Sequence, residues 1–197
     1  IPGQPEIRER NYRLFPQPED LQWIEKLLQQ EGGQLKAPIF IGCQIGCHSI
    51  AKKSWQWWRK HQHPKVWPSE SITELAQLLA EKQPQARLVL TGSKAELSLA
   101  KKLQKTSTNL INLVNQTSVL QLAALMNYLR VFIAPDSGLM HVACSSQRPL
   151  VALFGPTNLQ RTGPYPLTEN IKILRAERMS EISAEAVYAA LLPYLKA

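Results

Sequence analysis

From Ser69 onward, short runs of continuous apolar residues alternate with amphipathic stretches. "ARLVLTG", "NLINLV", "RVFIAP", "PLVALFG" and "NIKILRA" read as strands. "SESITELAQLLAEKQ", "SKAELSLAKKLQ", "SVLQLAALMNYL", "GLMHVACSS" and "SAEAVYAALLPYLKA" read as helices between or after them. A strand that is apolar at every position must be covered on both faces, and strands separated by helices pair in parallel. The pattern therefore predicts an α/β fold, a Rossmann-like doubly wound parallel sheet with right-handed crossovers. Ahead of this region, "APIFIGCQIG" reads as a further strand. "PEDLQWIEKLLQQEGG" reads as an amphipathic helix with Leu21, Ile24, Leu27 and Leu28 on one face, ended by Gly32-Gly33. The expected organisation is an N-terminal arm and linker helix over 1–33 and a Rossmann-like domain over 34–197.

Composition excludes some classes. The 197 residues suffice for one well-buried domain, and no segment approaches the ~18 consecutive apolar residues of a membrane-spanning helix. The start, "IPGQPEIRERNYRLFPQPEDLQ", lacks an apolar signal region and an initiator Met, which points to a fragment or a processed product. Three cysteines, odd in number and sparse, suggest free thiols in a reducing compartment.

The formal charge of +8 calls for a partner explanation, although solubility alone accounts for such a value. Much of it lies in "HSIAKKSWQWWRKHQHPKVW", where Lys52, Lys53, Arg59, Lys60 and Lys65 interleave with Trp55, Trp57, Trp58 and Trp67. Single-stranded nucleic acid, anionic lipid or the phosphates of a small ligand all fit basic and aromatic side chains together. With no zinc-finger, RRM or KH signature elsewhere, nucleic acid is not the expected partner. Cys43, Cys47, His48, His61 and His63 raise zinc, but His-x-His spacing suits two ligands on one element poorly, and no metal is expected.

In a doubly wound sheet, ligands bind where strand carboxyl ends feed helix N-termini. Gly46 to Ser49, "TGSKAE", "NQTS" and "PDSG" fall there, with "FGPT" beside them. Asp136, Ser137 and Gly138 would start a helix whose free N–H groups suit a phosphate or a sugar hydroxyl, and His141 follows one turn later. Helix capping explains the same residues: Asp and Ser are common N-caps, and Ser93 with Glu96 spells a capping box, as does Ser71 with Glu74.

Order and combination carry more than any one of these motifs. "PDSGLMHVACSSQRPLVALFGPTNLQRTGPY" closely resembles the C-terminal signature of glycosyltransferase family 9, the ADP-heptose:lipopolysaccharide heptosyltransferases. "KVWPSESITELAQLL", "LVLTGSKAE" and "LVNQTSVLQLAALM" resemble further family stretches in the same order, so the resemblance runs from about Pro38 to Tyr165. It implies the C-terminal, donor-binding domain of a GT-B fold, part of an inverting transferase that moves an ADP-heptose-like sugar to a cell-envelope glycolipid. The N-terminal domain, expected to hold the acceptor and the general base, has no counterpart here. The chain alone is therefore expected to bind donor and transfer little, with no catalytic residue of its own.

Carried over residue by residue, the resemblance assigns Lys65 to the diphosphate, Glu96 to the ribose hydroxyls and the backbone near Thr117 to the adenine. Asp136 falls to the sugar hydroxyls, Ser137 and the Gly138 N–H to the phosphates, and His141 to the phosphate or to Asp136. It implies metal-independent transfer in the cytoplasm, with peripheral contact at the inner membrane face through the Trp/Lys-rich loop. Two departures stand out: the segment from Gly46 to Lys65 is longer than usual, leaving Lys52 or Lys53 as competitors for the phosphate, and "NQTS" lacks the glycine that often precedes the Thr. The rival readings are a stand-alone, non-catalytic nucleotide-binding module and a nucleic-acid binder using the Trp/Lys-rich loop.

Overall fold

The computed structural model describes residues 12–32, 37–46 and 65–195. Helix α1 (Pro18–Gly32) leads to β1 (Ile39–Gln44), and α2 (Ser69–Lys82) to β2 (Ala86–Thr91). Next come α3 (Leu97–Gln104), β3 (Leu110–Asn112), α4 (Val119–Met126), β4 (Leu129–Pro135) and α5 (Gly138–Ser145). Then β5 (Leu150–Phe154), a single-turn α6 (Leu159–Thr162), β6 (Ile171–Arg175) and α7 (Ala184–Leu195) complete the described chain. Every strand anticipated from the apolar runs is present; the single turn of α6 is not evident from the periodicity.

The six strands pair in parallel in the order β3-β2-β1-β4-β5-β6. That is the doubly wound order, whose direction of winding reverses between β1 and β4. Alternate side chains feed two cores. Ile41, Cys43, Leu88, Leu90, Val131, Ile133, Val151 and Leu153 meet α2, α3 and α7 on one face. Phe40, Val89, Phe132, Ala134, Leu150, Ala152 and Phe154 meet α1, α4 and α5 on the other. Ile24 and Leu28 of α1 are buried in that second core, while Leu21 and Leu27 pack at its margin. Gly42 is required by this layer: a Cβ there would lie 2.3 Å from the Phe132 ring. The smallest residue on β1 makes room for the largest on β4.

Local signals decide where several helices begin. Ser118 caps α4 reciprocally with Gln121: the Gln121 N–H donates to Ser118 Oγ at 3.1 Å and the Ser118 N–H to Gln121 Oε1 at 2.9 Å. Ser93 and Glu96 form the capping box their spacing suggested. Ser71 and Glu74 do not. Helix α2 begins two residues earlier, at Ser69 after Pro68, with no side-chain cap, and the Ile72 N–H donates to the Pro68 carbonyl. Ile72, Leu75, Ala76 and Leu79 form the buried stripe of this helix, and the turn that opens at Ser69 precedes it.

Ser118→Ala is expected to cost about 1 kcal/mol in urea unfolding through the lost cap. Ser71→Ala, inside a helix with no cap to lose, should change stability by less than about 0.5 kcal/mol.

Candidate functional site

The carboxyl ends of β1 to β4 open into a cleft of about 480 Å³. Gln44 and Gly46 line it after β1, Gly92, Ser93 and Glu96 after β2, Asn115, Thr117 and Ser118 after β3, and Ser137 and Gly138 after β4. Val119 and Leu139 add apolar surface, and Val119 is itself exposed. The cleft thus lies where the winding reverses, the position at which open α/β sheets bind ligands.

Glu96 is the wall's buried carboxylate, 4% exposed. Its Oε2 accepts from both the N–H and the hydroxyl of Ser93, each at 2.7 Å. Its Oε1 is buried with no hydrogen-bond partner among the described residues. A buried carboxylate oxygen left unmatched is costly, so one half of this side chain holds the turn and the other is available to a donor. Gly46 lets the β1 loop pass over it, since a Cβ at that position would sit 2.4 Å from the Glu96 carboxyl carbon.

On the opposite side, Ser137 is the N-cap of α5, accepting from the Met140 N–H at 3.4 Å, and its hydroxyl donates to Gln44 Oε1. Gly138 follows, and among the described residues nothing beyond its neighbours and its own helix backbone comes within 4 Å of where its Cβ would be. Asp136, buried just before the cap, accepts from Lys65 Nζ at 2.8 Å across 71 residues of sequence. Neither residue lines the cleft, although Asp136 adjoins Ser137. The Lys65 segment is pinned by Trp67, whose indole N–H donates to the Ile182 carbonyl at 2.8 Å. Trp67 is therefore core and not part of an exposed basic and aromatic surface.

His141 stands apart from the cleft. Tyr12, from the arm before α1, donates to the His141 carbonyl at 3.0 Å, and its oxygen lies 3.5 Å from Nδ1. Burial, with Cys144 beside it, pushes the Tyr12 hydroxyl up to about 12, so it stays protonated and a donor at neutral pH. Burial likewise raises the Cys43 thiol to about 12.

The structure thus brings Glu96, Thr117, Ser137 and Gly138 around one cleft, sets the Lys65–Asp136 pair beside it and leaves His141 on the arm's side of α5. Lys52, Lys53, Trp55, Trp57, Trp58, Cys47, His48, His61 and His63 lie outside the described residues. Among the described residues, no group of three or more His, Cys, Asp or Glu side chains could hold a metal ion, and no helix is long and apolar enough to cross a membrane. Sequence reasoning missed Gln44 and placed Asn115 only as part of the "NQTS" stretch. The first is the lone polar side chain at the end of an apolar strand. The second adopts φ 61, a left-handed conformation Asn tolerates.

A parallel sheet in doubly wound order with a polar cleft at its switch point defines a Rossmann-like α/β domain. Comparison with known proteins extends this. The sequence profile of glycosyltransferase family 9 (heptosyltransferase) matches residues 59–190, more than half of the chain. Lipooligosaccharide heptosyltransferase 2 of Haemophilus ducreyi is 35% identical over 118 residues, 56% of this chain and 33% of that protein. The glycosyltransferase family 9 structure from Veillonella parvula superposes with a TM-score of 0.80 at 23% identity, covering 97% of this chain and 56% of that one. An E. coli heptosyltransferase, WaaC, solved with ADP, gives a TM-score of 0.65 at 22% identity, covering 87% of this chain and 48% of that one. The chain belongs to glycosyltransferase family 9, whose members are glycosyltransferases, and its fold is that of one Rossmann-like domain of the GT-B heptosyltransferases. It spans about a third of the curated relative's length and about half of the solved chains.

Lys65→Met, which leaves the buried Asp136 carboxylate without this cation, is expected to lower stability by about 1–3 kcal/mol in urea unfolding at neutral pH. Cys43, fully buried with a raised thiol, should escape alkylation at pH 8 in the native protein and react only on unfolding, as peptide mass spectrometry would record.

Proposed function

We propose that this chain is the donor-binding domain of a heptosyltransferase-like inverting glycosyltransferase that takes an ADP-activated sugar. The observation that carries the reading is the partnerless Oε1 of Glu96, buried in the wall of a cleft at the strand carboxyl ends of a family 9 chain. A vicinal diol supplies the donors such an oxygen needs, and the ribose of a nucleotide carries one. The nucleotide would then lie with its ribose against Glu96 and its base toward Thr117 and the apolar side chain of Val119. Its diphosphate would face the Gly138 N–H at the α5 N-terminus, where the helix dipole favours negative charge. That the E. coli relative WaaC was solved with ADP agrees with this choice of nucleotide.

Chemistry follows from charge. As the glycosidic bond breaks, negative charge builds on the leaving diphosphate, and a cation positioned there lowers the barrier. Lys65 would serve that purpose by leaving Asp136, whose freed carboxylate then accepts from sugar hydroxyls. In this reading a side chain and a helix end carry the neutralisation, with no metal called for. The attack itself calls for an acceptor and a general base from a second domain, so donor binding without transfer is the activity assigned to these 197 residues. A lipid-linked acceptor would place the whole enzyme at the cytoplasmic membrane face.

The test is calorimetric and thermal-shift titration with ADP, GDP, UDP and ADP-heptose. Adenine-selective binding should add about 2.7 kcal/mol of stability at ~100 times the dissociation constant. Glu96→Gln and Lys65→Ala should each weaken ADP about tenfold, the loss of one charge-assisted hydrogen bond. Gly138→Ala, whose methyl would project into open space, should leave stability within about 0.5 kcal/mol and still weaken ADP. Binding indifferent to the base and to all three substitutions would overturn the assignment.

A further inference from the structure

We propose that Gln44 is a specificity-determining positioning residue, whose side-chain amide orients the Ser137 hydroxyl so that it reads a sugar hydroxyl of the donor and not a phosphate oxygen. This rests on the donor-domain reading above.

Gln44 ends β1, 6% exposed, at the cleft. Its Nε2 donates to the Gly46 carbonyl at 2.8 Å, and its Oε1 faces Ser137 Oγ. These two contacts leave one consistent assignment. A carbonyl only accepts, so the amide nitrogen must be the end at Gly46 and the amide oxygen the end at Ser137. That oxygen in turn only accepts, so the single hydroxyl proton of Ser137 points at Gln44. The Met140 N–H meets one lone pair of the same hydroxyl at 3.4 Å. What Ser137 has left for the cleft is its other lone pair.

An ionised diphosphate presents acceptor oxygens and would meet that lone pair unfavourably; a sugar hydroxyl presents a proton and satisfies it. The phosphates are then left to the Gly138 N–H and Lys65. Gln44 also joins the two walls of the cleft, since the Gly46 loop it holds packs on the Glu96 carboxyl while Ser137 opens α5. An apolar side chain of the same length at this position would free the Ser137 proton to turn toward a phosphate.

The experiment measures ADP and ADP-heptose affinities by calorimetry on the 197-residue chain and its Ser137→Ala, Gln44→Met, Gln44→Glu and Gln44→Met/Ser137→Ala variants. Ser137→Ala should leave ADP within about twofold and weaken ADP-heptose about tenfold, the value of one hydrogen bond. Gln44→Met should lower the ADP-heptose preference by a similar factor. Gln44→Glu, which still accepts from Ser137 but no longer donates to Gly46, should retain that preference even where both affinities fall. Unfolding midpoints of the ligand-free proteins supply a double-mutant cycle, and the pair should be non-additive. Equal loss of ADP and ADP-heptose in Ser137→Ala, or an unchanged preference in Gln44→Met, overturns the hydroxyl selectivity. Additive midpoints overturn the pairing. A wild-type chain that binds neither ligand defeats the donor-domain reading and the selectivity with it, while the cycle still decides whether Gln44 and Ser137 act together.

Discussion

Parallel pairing of β1 with β2 on one side and β4 on the other is the constraint on which this domain depends. It places the central strand between two windings of the chain, buries its side chains in both cores and leaves its carboxyl end between two diverging sets of loops. The cleft is a consequence of that divergence. Close approach in the layer beneath sustains it: Phe132 occupies the space over Gly42, and the ring would have to move for any side chain on β1 at that level. A parallel sheet tolerates such tight packing because both of its faces exclude water.

Around that opening, charge is arranged by elements distant in sequence. Trp67 anchors the segment before α2 through the Ile182 carbonyl, and this anchor delivers Lys65 to Asp136. Glu96 is held by Ser93 on one oxygen and left unmatched on the other. The two carboxylates therefore differ in readiness. Asp136 is paired with the Lys65 cation, whereas Glu96 presents an unfilled acceptor among the described residues. The same asymmetry runs through Ser137, whose proton is directed at Gln44, and Gly138, where the space a Cβ would take is open. The cleft thus offers distinct places for hydrogen-bond donors and for acceptors.

The arm ahead of α1 adds a second attachment. Tyr12 reaches the His141 carbonyl on α5, and Ile24 and Leu28 bury in the same core as Phe132. Residues that look like a linker in sequence are thereby part of the face that supports the helix opening at Ser137.

Read alone, the sequence determined the strand and helix alternation, the parallel sheet and the positions of the loops that meet at its carboxyl edge. These follow from apolar runs and from short-range capping such as Ser93 with Glu96, terms that act within a few residues and leave a periodic trace. It also showed the motif order that places the chain among the family 9 transferases. Tertiary structure alone decided that Ser71 would lie inside α2, that Trp67 would be core, and that His141 would face the arm. It alone revealed Gln44 as a cleft residue and the free oxygen of Glu96. Each depends on contacts between segments far apart in the chain, as with Lys65 and Asp136. Such pairings follow from how two helical layers settle on a twisted sheet, and no periodicity within one segment encodes them.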